Sequence, residues 1–270
     1  MTKSVKKFYN QIVRKEWNRL VKNPYQKLEF NTTLHFLKKY LPKKGLILDA
    51  GGGPGRYAIE LAKQGYNVVL QDIAPANIAL AKKQIRKAKL HNKVREIVIG
   101  SIVDLSRFSD NTFDAVICLG GPLSHVIEQK KRDKAISELI RVAKKDAPIF
   151  VSVMSRLSLL KYALKSFPNE IELPRFKKYR DTGDYIGRYG FTACHFFLPE
   201  ELKEAFTKKN VKILEMVGLE GIGSNYQEKI NKLAKNKRRW KVWLETHHKT
   251  CTHPAVVGTS EHILLICKKL

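Results

Sequence analysis

The sequence predicts an α/β fold, an open and mostly parallel β-sheet covered by helices on both faces. Short, almost wholly apolar runs alternate with amphipathic helical stretches from residue 46 to residue 154. A glycine-rich turn, Gly51-Gly52-Gly53-Pro54-Gly55, directly follows the first apolar run and leads into helical sequence. At 270 residues, 43% of them hydrophobic, the chain is long enough for one large domain with insertions and a sizeable core. Strands buried on both faces read as continuous apolar runs, and parallel neighbours need right-handed helical crossovers.

The elements follow in order. Residues 3 to 41 predict two amphipathic helices, with Phe8, Ile12, Trp17 and Leu20 on the apolar face of the first and Leu28, Phe30, Leu34 and Leu37 on that of the second. Asn23-Pro24 breaks them apart. Strands are expected at Leu46 to Ala50, Tyr66 to Gln71, Val94 to Ile99, Phe113 to Leu119 and Pro148 to Met154, and helices at Gly55 to Gln64, Ala76 to Leu90 and Lys130 to Lys145. After Met154 the rhythm stops. Residues 156 to 198 are rich in aromatics, Pro and Gly, too irregular for another crossover and too apolar for a disordered linker, and read as a cap or substrate-facing insertion. Pro199-Glu200 opens a helix to Lys208, Val211 to Gly218 is a strand, and His262 to Lys268 is the last strand. Between these two strands lies a long basic helix, densest in cations from Lys229 to Lys249.

Lys and Arg number 51 against 25 Asp and Glu, a formal net charge of +26. Such an excess raises nucleic acid as a partner, most concretely through Lys237, Arg238 and Arg239 beside Trp240 and Trp243. The alternative is a solvated face with the tryptophans packed inward. No stretch approaches the roughly 18 apolar residues of a membrane span, and the first residues lack the apolar core of a signal peptide, so a cytoplasmic setting is expected. Cys118, Cys194, Cys251 and Cys267 form no CxxC pair and are expected as buried free thiols. The cluster His247-His248-x-x-Cys251-x-His253 matches no familiar zinc spacing, so no metal site is expected.

In an open α/β sheet, ligands bind beyond the carboxyl ends of the strands where the strand order reverses, and the glycine turn belongs there. It is not a P-loop, because no Gly-Lys-Ser/Thr follows. A dinucleotide fingerprint fits Gly53-x-Gly55-x-x-Ala58 with Asp72 downstream. Asp49, however, is out of place beside a pyrophosphate and suits a cofactor carrying a sulfonium and an ammonium group.

Asp49-x-Gly51-x-Gly53-x-Gly55 resembles motif I of the class I S-adenosylmethionine-dependent methyltransferases. The segment VVLQD ending in Asp72 resembles their motif II, and FDAVICLGGPLSHV their motif IV. The stretches Glu16-Trp17, Pro24-Tyr25 and Glu29-Phe30 are similar to an N-terminal helical region shared by a group of small-molecule-type members. The resemblance covers residues 45 to 155 well and the last strand pair more loosely. It implies a Rossmann-like, seven-stranded, mostly parallel sheet with the last strand antiparallel. The implied domains are an N-terminal helical lid at 1 to 42, a cofactor-binding core at 43 to 155 and a cap at 156 to 198. A C-terminal part of the core at 199 to 270 follows, with a basic helical insertion at about 224 to 249.

The implied cofactor is S-adenosyl-L-methionine, leaving as S-adenosyl-L-homocysteine. The resemblance places Gly51, Gly52, Gly53 and Gly55 where backbone approaches the cofactor, with Asp49 holding the turn. Asp72 would accept from both ribose hydroxyls, and Ile73 would lie against the adenine. Ser101 stands where many relatives carry Asp, so its hydroxyl or the Ile102 backbone would meet the adenine amino group. Leu119 and Gly120 would line the pocket beside the methyl group. His125, just past the fourth strand, is the candidate catalytic base, and His195 a second candidate. Tyr9, Trp17, Tyr185 and Tyr189 are expected as walls of the acceptor site. The reaction expected is methyl transfer to a small, aromatic or otherwise apolar acceptor. The rivals are an RNA methyltransferase using the basic helix and a non-catalytic cofactor-binding protein. Motif IV lacks the Asn/Asp-Pro-Pro-Tyr/Phe of enzymes that methylate adenine or glutamine amino groups.

Overall fold

The structure, a computed structural model, describes residues 2–187 and 191–270. Helices α1 (Thr2–Arg19) and α2 (Pro24–Tyr40) come first. Asn23 starts α2 by accepting a hydrogen bond from the Gln26 amide at 3.0 Å, and Pro24 takes a first-turn position where an N–H would lack a partner anyway. The alternating part follows as β1 (Leu46–Ala50), α3 (Arg56–Lys63), β2 (Asn67–Asp72), α4 (Pro75–Lys87), β3 (Val94–Ile99), β4 (Ala115–Cys118), α5 (Gln129–Val142) and β5 (Pro148–Met154). Next come α6 (Arg156–Ser166), α7 (Pro174–Thr182) and a small ribbon of β6 (Asp184–Tyr185) with β7 (Cys194–His195). The chain closes with α8 (Pro199–Thr207), β8 (Val211–Gly218), α9 (Gln227–Leu233), α10 (Lys237–Thr250), α11 (Pro254–Val257) and β9 (His262–Lys269).

The large sheet has the order β3-β2-β1-β4-β5-β9-β8. Strands β1 to β5 are parallel, and β9 runs antiparallel to both neighbours, β5 and β8. Alternate residues feed opposite cores. Leu48, Val116, Ile149 and Val151 pack with Leu139 of α5 and Phe206 of α8 on one face, while Ile47, Ile117, Phe150 and Ile266 pack with Leu61 of α3 and Phe36 and Leu37 of α2 on the other. After β1 the chain builds outward through β2 and β3, then returns to lay β4 on the other side of β1. The crevice beyond the carboxyl ends of β1 and β4 is therefore the point where strand order reverses.

Three local expectations are corrected. Regular pairing in the fourth strand is limited to Ala115–Cys118, because Phe113 bridges to Ala143 instead and α5 ends at Val142, whose carbonyl accepts from the Phe113 amide. The single basic helix is two helices, α9 and α10. Asn236 starts the second by accepting from the Arg239 amide. Residues 156 to 198 are more regular than their composition suggests: Ser155 caps α6, Pro174 opens α7, and Gly183 ends it.

Candidate active site

The loop after β1 turns sharply at Gly51, whose φ of +79° suits glycine, and a Cβ there would lie 2.6 Å from Pro122 Cγ in the loop after β4. The two loops thus touch at the switch point. Beside them lies a cavity of about 1130 Å³, counting its open mouth, walled on the other side by α1. Of the residues expected at a cofactor, Gly51, Gly52, Gly53, Asp72, Ile73, Ser101, Ile102, Leu119 and Gly120 line it, and so does His125. Asp49 and Gly55 are not in the wall. Asp49 is wholly buried under the turn, where a Cβ on Gly52 would strike its carboxyl at 2.4 Å. Gly55 starts α3 against Leu70 and Ala81.

Asp72 closes β2 with both oxygens fixed. Oδ2 accepts from the Gly53 amide at 2.9 Å, and Oδ1 accepts from the Ala74 amide at 2.8 Å and Asn77 Nδ2 at 3.1 Å. Burial raises its pKa and these donors oppose the rise. The Asp49 oxygens have no donor in hydrogen-bonding geometry. Burial first, and the nearby Asp72 charge second, push the Asp49 carboxyl up to about 7. Two carboxylates beneath and beside one cavity favour a cationic occupant.

Tyr9 lines the cavity as expected, and α1 adds wall residues that the sequence did not single out: Val5 and Glu16, on the same helical face as Tyr9, and Arg19, with Leu20 just past the helix end. Arg19 Nε donates to Glu16 at 2.9 Å, and both terminal nitrogens donate to Glu29 of α2. Burial opposes the guanidinium charge, but Glu16 and Glu29 outweigh it and raise the Arg19 pKa well above its usual value. Arg19 also reaches Gly120, where a Cβ would sit 3.1 Å from Nη2. The signal available in sequence for Glu16 was a carboxylate interrupting the apolar stripe of α1.

Tyr9 Oη donates to His125 Nε2 at 2.8 Å, and His125 Nδ1 faces the Ala193 carbonyl at 3.2 Å. A carbonyl only accepts, so Nδ1 carries the proton and Nε2 is bare. Burial lowers the imidazole to about 4 against the pull of that carbonyl, which keeps it neutral at neutral pH, and burial raises the Tyr9 phenol.

Other expected site residues lie elsewhere. His195 does not line the cavity, and its two ring nitrogens face Asp184 and Glu201. Trp17 lies under the Arg56 guanidinium, 3.7 Å from ring centroid to Cζ, and Tyr185 packs with Ala163, Phe176 and Tyr179. Tyr189 lies outside the described residues. Lys237, Arg238 and Arg239 are exposed, while Trp240 and Trp243 are partly buried against Tyr25, Leu28 and Ile230. His247 bonds the Thr32 hydroxyl at 2.7 Å while His253 caps α11, which divides the His/Cys cluster among structural tasks.

Glu29, Glu220 and His262 have ligand-type atoms within 4.8 Å of one another. Their atoms are already committed to Arg19 and to a His262 Nδ1 bond with Glu220 at 2.7 Å. Burial opposes the imidazolium, but Glu29 and Glu220 raise His262 from 6.5 to about 9. The stability from this pairing is fully present below pH 6.5 and lost as pH rises through about 9. Urea unfolding from pH 6.5 to 9.5 is expected to show a steeper loss for the natural protein than for His262→Phe; parallel curves would refute the ion pair.

Comparison with known proteins places this geometry among relatives. Residues 47–146 match a family model described as a methyltransferase domain. The chain is similar to a glycine/sarcosine N-methyltransferase of Parasynechococcus marenigrum, 30% identical over 129 residues that span 47% of this chain and 44% of that protein. It is also similar to a ubiquinone biosynthesis O-methyltransferase of Rickettsia akari, 31% identical over 174 residues, 64% of this chain and 61% of that protein. The chain thus spans less than half the length of the first relative and under two thirds of the second. In fold it resembles the crystal structure of a SAM-dependent methyltransferase of Methanosarcina mazei, with a TM-score of 0.61 and 23% identity, covering 87% of this chain and 97% of that one.

Proposed function

We propose, from the premise that residues 47–146 are a methyltransferase domain of the class I, Rossmann-like kind, that this protein transfers a methyl group to a small acceptor carrying an N–H or O–H nucleophile. One observation carries the reading: the glycine turn, the fixed carboxylate of Asp72 and the Tyr9–His125 pair all face a single cavity. S-adenosyl-L-methionine, when bound, supplies an electrophilic methyl group on a sulfonium. The residues present fit it. Asp72 Oδ2, which accepts only from the Gly53 amide, keeps a lone pair for a ribose hydroxyl, while Oδ1 is filled by Ala74 and Asn77. The unpaired carboxyl of Asp49 favours positive charge above it. Glu16 and Arg19 would hold the ammonium and carboxylate of the amino-acid end, and Ile73, Ser101 and Ile102 the adenine end.

The acceptor's binding surface would be Val5, Val126 and Ile127, which suits a small molecule with an apolar body. Tyr9 points its hydroxyl hydrogen at His125, so its oxygen lone pairs are free to accept a hydrogen bond from the acceptor's nucleophile and aim that atom. Helix α1 acts as the lid that excludes water, held to the core by Arg19–Glu29, by an Arg56 bond to the Trp17 carbonyl and by the Ala76 amide donating to Asn10 at 3.0 Å. The named relatives act on nitrogen and on oxygen, and both nucleophile types meet this requirement. The same proposal includes a cytoplasmic setting, supported by four buried unpaired thiols; among the described residues no helix is long and apolar enough to cross a membrane.

The test has two arms. Calorimetric titration with S-adenosyl-L-homocysteine is expected to show one site, and mass spectrometry of S-adenosyl-L-methionine reactions with a panel of small amines and phenols is expected to show a methylated product. Binding without any product across the panel would favour a non-catalytic cofactor-binding protein, and no binding would end the proposal.

A further inference from the structure

A neutral imidazole can carry its proton on either nitrogen, and only the tautomer with a bare Nε2 can accept from Tyr9. In this protein the choice is made by one main-chain group, the carbonyl of Ala193, 3.2 Å from His125 Nδ1. Ala193 is buried and immediately precedes β7, which packs against the turn that carries His125. The opposite arm of the ribbon presses on the same residue. Gly187 has a φ of +79°, and a Cβ there would fall 2.5 Å from the Ala193 nitrogen.

The ribbon is pinned by a polar cluster built around the buried His195 ring. His195 Nδ1 lies 2.7 Å from Asp184 Oδ1, the residue paired with it across the ribbon, and Nε2 lies 2.5 Å from Glu201 Oε1 on α8. Glu201 also accepts from Arg156 Nη2 at 2.8 Å, and Arg156 Nε donates to the Phe196 carbonyl at 3.2 Å. Asp184, His195 and Glu201 do not line the cavity, so they touch neither cofactor nor acceptor there.

We infer that His195 is a positioning residue: clamped between Asp184 and Glu201, it fixes the β6–β7 ribbon so that the Ala193 carbonyl holds His125 in the tautomer whose Nε2 receives the Tyr9 hydroxyl. The inference rests on the role proposed for His125, and it gives the second histidine a task performed through the backbone. Which ring nitrogen of a histidine carries the proton is set by the hydrogen bond the other nitrogen makes.

The test is nitrogen NMR of the His125 ring in the ligand-free protein. The natural protein is expected to show an almost pure Nδ1–H tautomer. His195→Phe keeps an aromatic edge against Phe197 and removes both nitrogen contacts, and it is expected to convert His125 to a mixture of tautomers while S-adenosyl-L-homocysteine affinity changes less than about twofold. Asp184→Ala, at a partly exposed position, is expected to give a smaller shift in the same direction and serves if His195→Phe does not fold. His125 resonances unchanged in the folded variants would overturn the inference. Because the readout needs no methyl transfer, it fails separately from the proposed reaction. Intact turnover in His125→Ala would remove the catalytic reading and leave the tautomer result standing.

Discussion

Asp72→Ala is expected to raise the dissociation constant for S-adenosyl-L-homocysteine about 10-fold, from the loss of a charge-assisted hydrogen bond worth about 1.5 kcal/mol. The carboxylate is held by the Gly53 and Ala74 amides and by Asn77, so it would meet a ribose already ordered. The variant should stay folded, because the β2 pairings above it are made by backbone and the Leu70 and Val68 side chains remain buried. It should also let Asp49 ionise more easily, since the Asp72 charge is one of the two causes that raise its pKa. Asp72→Asn keeps the shape and loses the charge, and should fall between the two. Calorimetry with far-ultraviolet circular dichroism as the folding control is the measurement. Undiminished affinity in a folded Asp72→Ala would exclude the ribose assignment.

His125→Ala should lower turnover about 100-fold with cofactor affinity unchanged, the size of effect expected when a group that accepts a proton in the transition state is removed. Tyr9→Phe should produce a comparable loss, because in the proposed reaction the phenol oxygen meets the acceptor and His125, 2.8 Å away, acts through it. The two losses should not add: with either partner gone, the other has nothing left to relay, so the double variant should resemble the worse single one. Since burial holds His125 near 4, turnover should be insensitive to its titration across neutral pH and fall only as the pH approaches that value from above. Additive losses, or a turnover that drops through pH 6.5, would show that the two residues work independently or that the ring is not buried during the reaction.

Much of the fold was legible because its signals are local. The runs at 46 to 50, 94 to 99 and 148 to 154 match β1, β3 and β5 residue for residue, since each is a mostly apolar stretch of strand length set off from the helical sequence around it. The break of the basic helix at 234 to 236 was missed because lysine-rich sequence reads as helix on both sides of a cap. The regularity of α6 and α7 was missed because aromatics and prolines there serve capping and a small separate core around Phe176 and Tyr179.

For the site, the chain alone determined the glycine turn, Asp72 and the placement of His125 after the fourth strand, because each sits at a fixed offset from a strand end and needs no distant partner to be recognised. Tertiary structure alone decided the rest. It laid α1 over the cavity, joined Tyr9 to a histidine 116 residues away, set Arg19 between Glu16 and Glu29, and kept His195 out of the cavity wall to face two carboxylates. Spacing along the sequence encodes which face a residue occupies on its own element. Which element that face meets depends on how buried charges find partners across the whole chain, and that is fixed only when the layers pack.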